Sequence, residues 1–80
     1  MDALGRGMKL VDSIKSAVGE ADDITCVGDA SGTIVNGYVP ATEYDTVLAL
    51  ADEYGAIEAA PYIVQGTNEL HIALDIDGGE

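Results

Sequence analysis

Few residues in this 80-residue chain carry intrinsic chemistry: one cysteine, Cys26, one histidine, His71, four tyrosines and fifteen carboxylates. A thiol and an imidazole act as nucleophile and base only where they meet in space. Read by strand alternation, Ile24 and Cys26 share a core-facing side with Leu70, Ile72, Leu74 and Ile76, and His71 points to the opposite side. A buried, unreactive thiol is the expectation for Cys26. The stretch CVGDASGTIVNG, residues 26–37, has the glycines and hydroxyls of a phosphate-gripping loop. Such a loop needs helix N-terminal amides and usually a lysine. Here no lysine follows, IVNGYV reads as a strand, and Asp29 repels an anion. Asp29–Ala30–Ser31–Gly32 is expected to be a hairpin turn with glycine at a left-handed position. The closing DIDGGE has the acidic start of a calcium loop without the rest of its spacing, and zinc lacks ligands. No catalytic residue, metal or cofactor is expected.

Charge bounds the partners. Fifteen acidic residues stand against three basic ones, a net of −12. Arg6, Lys9 and Lys15 all lie near the start, and no Lys or Arg occurs from Ser16 onward. Nucleic-acid binding lacks its electrostatic footprint. No apolar run reaches the roughly 18 residues of a membrane span, and the basic residues at the start precede no secretory h-region. The single cysteine allows no internal disulfide, which fits a reducing compartment. The lysine-poor, acidic, phenylalanine-free composition resembles that of the cytoplasmic proteins of salt-accumulating halophiles, and a cytoplasmic location is the expectation. A hydrophobic content of 48% with clear periodicity argues against disorder.

One domain over residues 1–80 must position these groups, with 1–7 frayed by its glycines and 78–80 a tail. Leu10, Val11, Ile14, Ala17 and Val18 form a helical stripe ending at Gly19. Ile24–Val27 and Thr33–Val39 read as a hairpin. Thr42 and Asp45 make a capping-box-like start after Pro40, for a helix with a Tyr44, Val47, Leu48 and Ala51 stripe ending at Gly55. The final 57–77 region reads as a second hairpin whose last strand alternates cleanly from Leu70 to Ile76. The order αββαββ predicts an α+β two-layer sandwich: a four-stranded antiparallel sheet with both helices on one face, a permuted ferredoxin-like plan. The second and fourth strands are then central, and Pro61 fits an edge strand.

Two helices on one face leave the other uncovered. Alternation assigns to it Val27, Ile34, Tyr38, Ala60, Tyr62, Val64, His71 and Ala73; a bulge at Gly28 or Pro61 would reverse the parity beyond it. An apolar, tyrosine-bearing, charge-poor surface is typical of an interface. The leading expectation is an interaction or regulatory module, a homodimer or a partner of another protein, through Val27, Ile34, Tyr38, Ala60, Tyr62, Val64 and Ala73. A second reading places a small ligand or substrate against Tyr38, Tyr62 and His71. A third takes the acidic surface as a nucleic-acid mimic that occupies a basic DNA-binding protein.

Overall fold

The computed structural model describes residues 2–19, 21, 23–63 and 66–78, with the backbone alone described at 59–63. Val64 and the tail residues 79–80 lie outside the described residues. Two helices and four strands follow in the expected order: α1 (Ala3–Ala17), β1 (Thr25–Asp29), β2 (Gly32–Pro40), α2 (Tyr44–Glu53), β3 (Ile57–Ile63) and β4 (Glu69–Asp77). The sheet is antiparallel throughout with order β1-β2-β4-β3, so β2 and β4 are central and β1 and β3 are edges. This is the α+β two-layer architecture read from the pattern.

The start of α1 differs from its expectation. In place of a frayed segment, the helix begins at Ala3, with the Asp2 carboxylate accepting from the Gly5 amide at 2.7 Å. Ala3, Gly7, Leu10 and Ile14 then recur at three- and four-residue spacing as the buried stripe. Gly7 has a packing reason to be there: a Cβ at this position would lie 2.7 Å from both Cys26 Sγ and Thr33 Cγ2. A glycine that looks like a helix breaker is instead where α1 touches the sheet.

The second helix also starts differently. The chain passes from β2 through a short 3₁₀ turn, Ala41–Glu43, and no side chain caps either this turn or α2, so the Thr42–Asp45 capping box is not made. Its end is as expected. Gly55 adopts φ +73°, its amide donates to the Asp52 carbonyl, and the Ala56 amide donates to the Ala51 carbonyl. Those are the two bonds of a Schellman stop.

The core lies between the helices and one sheet face, built from Leu10, Ile14, Val35, Val39, Val47, Ile72, Leu74 and Ile76, all essentially inaccessible. Along β4, Leu70, Ile72, Leu74 and Ile76 are buried, whereas Glu69, Asp75 and Asp77 are exposed and His71 and Ala73 half-buried. The period of two is thus realised as burial on one side.

Candidate functional site: the open sheet face

Both helices pack on one side of the sheet, and among the described residues nothing covers the other side. The register arranges that open face in rows across the strands. Val27 stands beside Ile34, Ile34 beside Asp75, and Asp75 beside Ile57. The next row is Thr25, Asn36, Ala73 and position 59, and the row after it holds Tyr38 beside His71 and His71 beside position 62. Val27, Ile34 and Ile57, on β1, β2 and β3, are 63%, 44% and 71% exposed, large fractions for branched aliphatic side chains. They line a shallow depression of about 580 Å³ together with Ser31, Asp75 and Asp77.

Ile57 escaped the sequence reading, and the cause is a bulge. Ala59 pairs with Ala73 and Tyr62 with His71, so residues 60 and 61 together stand opposite Ile72. Counting back by twos from Tyr62 reaches Ala60 and then Glu58, yet the inserted residue hands those rows to Ala59 and Ile57. Ala60 belongs to the bulge, not to the row of Ala73. Proline at 61 supplies the local reason, because it cannot donate to the ladder and is tolerated at a bulge on an edge strand. The register at Gly28 runs without a shift, Gly28 pairing with Thr33.

Tyr38 and His71 meet as neighbouring rings, centroids 5.2 Å apart at 68°, an edge-to-face contact. The backbone of Tyr62 lies directly across from His71 on the other side. Cys26 packs against the core on the helix side of the sheet, which puts the thiol and the imidazole on opposite faces. Burial raises the Cys26 thiol pKa, which leaves less thiolate for nucleophilic chemistry. Among the described residues, no three His, Cys, Asp or Glu side chains are grouped to hold a metal ion.

The 26–37 stretch is a hairpin turn. Ala30 and Ser31 alone connect Asp29 to its pairing partner Gly32. The Asp29 carboxylate accepts from the Ser31 hydroxyl at 2.7 Å and from the Ser31 amide at 3.0 Å, a local ring that closes the turn. These bonds, the hydroxyl first, hold the Asp29 carboxyl below the usual aspartate pKa. Gly32 does not adopt the left-handed conformation expected of it. Positive φ falls instead on Gly28, at +146°, where a side chain would press on the Thr33 backbone across the strand pair, and on Gly37, at +158°, against Asp23 and Ile24.

On the helix side, Arg6 ties three elements. Its guanidinium donates to the Tyr54 carbonyl at the end of α2, at 3.2 Å, and to the Asp77 carbonyl at the end of β4. A cation at a helix C-terminus also offsets the partial negative charge there. The chain's one arginine is therefore occupied in holding the fold together.

Among the described residues no helix is long and apolar enough to cross a membrane. Comparison with protein-family models gives no match, and neither the curated proteins nor the solved structures contain one that matches this chain.

Proposed function

We propose that this chain is a small protein-interaction module that self-associates through its open sheet face. The observation that carries the reading is the exposed row of Val27, Ile34 and Ile57 on three different strands, opposite a face already filled by both helices. Covering such side chains removes apolar area from water, worth about 1.5–3 kcal/mol for each one fully buried. Tyr38, Ala73, Tyr62 and Val64 complete the proposed surface as read from the sequence; the bulge takes Ala60 out of it and brings in Ile57 and position 59. Light scattering in concentrated KCl tests the reading. A mass of two chains supports it, and Ile34→Asp, which buries an unpaired carboxylate, raises the dimer dissociation constant by about 100-fold. A stable monomer at all concentrations overturns it.

The edge-to-face pair of Tyr38 and His71 favours one further reading, a small-ligand or catalytic site with Tyr62. A metabolite screen that shifts the His71 ring signals supports it; unchanged signals remove it. The net charge of −12 is proposed to reflect adaptation to a salt-rich cytoplasm. A nucleic-acid mimic would use the same charge differently, and requires retention of a basic DNA-binding protein in high salt.

A further inference from the structure

The open face has a hidden symmetry. On β4, Asp75 and His71 lie two residues to either side of Ala73; on β2, Ile34 and Tyr38 lie two residues to either side of Asn36; and Asn36 pairs with Ala73. Positions thus mirror about the Asn36–Ala73 row, while their chemistry is complementary: carboxylate against imidazole, aliphatic against aromatic.

We propose that two copies meet open face to open face about a two-fold axis running across the strands through the Asn36–Ala73 row. This rests on the self-association proposed above and adds its geometry. Such an axis carries each strand onto itself with its direction reversed. Asp75 then faces the partner subunit's His71, and Ile34 faces the partner subunit's Tyr38, each contact made twice.

Packed sheets sit about 10 Å apart and cross at about 30°. At about 7 Å from the axis that crossing displaces facing residues by about 3–4 Å, within the swing of an Asp–His pair. Small Ala73 and half-buried Asn36 occupy the centre, where the backbones come closest.

Charge selects this axis over its alternative. A two-fold axis along the strands would exchange β2 and β4 and set Asp75 against the partner subunit's Ile34, burying a carboxylate on an aliphatic surface. The same consideration selects a second copy over a basic partner: the face brings its own complement to its one central acid. The outer rows set Asp77 towards the partner subunit's Glu69, a like-charge pair. Both are exposed, so added salt screens that repulsion and tightens the dimer.

Exchange of the two side chains tests the geometry. His71→Asp and Asp75→His each create like-charged facing pairs in their own homodimers, yet mixed together they restore both opposite-charge pairs. Sedimentation in about 1 M KCl near pH 6 measures each variant alone and the equimolar mixture. Each alone is expected to associate at least about tenfold more weakly than the native chain, and the mixture to recover the two-chain mass. The double exchange, His71→Asp with Asp75→His, is expected to dimerise alone; it and far-ultraviolet circular dichroism guard against misfolding.

A folded mixture no tighter than its components, beside a dimeric native chain, overturns this geometry and leaves self-association standing. A monomeric native chain overturns both. A native chain that stays monomeric but captures a lysine-rich amphipathic peptide, lost on Asp75→Asn, assigns the face to a basic partner instead.

Discussion

At the scale of single residues, the side chains that stand out serve packing and electrostatics more than reaction chemistry. Tyr44 on α2 donates its phenol proton to Glu58, which the register places on the helix side of β3. The other Glu58 oxygen is buried without a partner, so the carboxylate depends on that phenol. The hydrogen bond to Glu58, then burial and nearby negative charge, push the Tyr44 pKa from an ordinary 10.0 up to about 12. A folded-state pKa raised above the unfolded one means that the native state holds its proton longer. This contact therefore contributes its full stability below about pH 10 and loses it as pH rises through about 12. A tyrosinate absorbance titration should show one late phenol, abolished in Tyr44→Phe and moved to lower pH in Glu58→Gln. If all four tyrosines ionise together in the native protein, the pair is not formed.

At the scale of elements, the fold depends on close approach between α1 and the sheet. Gly7 lets the helix backbone settle against Cys26 on β1 and Thr33 on β2. Thr33 is itself buried and donates to the Asp29 carbonyl, so the contact cannot yield without disturbing the hairpin turn. Gly7→Val recovers about 0.4 kcal/mol of helix propensity but adds side-chain volume where even one carbon does not fit. Overpacking of this kind costs about 1–3 kcal/mol. The net expectation is a loss of about 1–2 kcal/mol, read as a lower urea midpoint at unchanged slope. An equal or higher midpoint would show that α1 rides further from the sheet. The β3 bulge is the second device at this scale, since it turns Ile57 outward and Glu58 inward on an edge strand.

At the scale of the whole molecule, charge sets the conditions under which the fold persists. A net of −12 on 80 residues, with Arg6 committed to the Tyr54 and Asp77 carbonyls, makes self-repulsion a general penalty on compactness. The screening length falls from about 10 Å at 0.1 M salt to about 3 Å at 1 M. The thermal midpoint should therefore rise by several degrees over that range in KCl, most of it in the lower half. Sucrose at matched osmolality separates screening from general exclusion effects. A midpoint that does not move with KCl would mean the carboxylates are too dispersed to matter. The proposed dimer pushes the same way, because association brings two such charges together and depends still more on salt.

Much of the fold could be read from the residues alone, because periodicity is a local property that burial must respect. Leu70 to Ile76 alternate in sequence and alternate in burial, and the stripe from Leu10 to Val18 is the buried side of α1 apart from exposed Ala17. The helix–hairpin repeat is enough to place β2 and β4 at the centre, and the absence of lysine around the 26–37 loop is enough to make it a turn. Other features lie beyond any local pattern. The bulge at residues 60–61 shows itself only against β4, where one residue, Ile72, answers two. It alone brings Ile57 into the open face and removes Ala60. Arg6 binds backbone carbonyls 48 and 71 residues away, acceptors that every residue type carries and that leave no trace in composition. Gly7 resembles a helix breaker until Cys26 and Thr33 are seen beneath it. Side-chain pattern along one chain determines which face is apolar; register between chain segments, made by backbone groups common to all residues, decides which side chains share it.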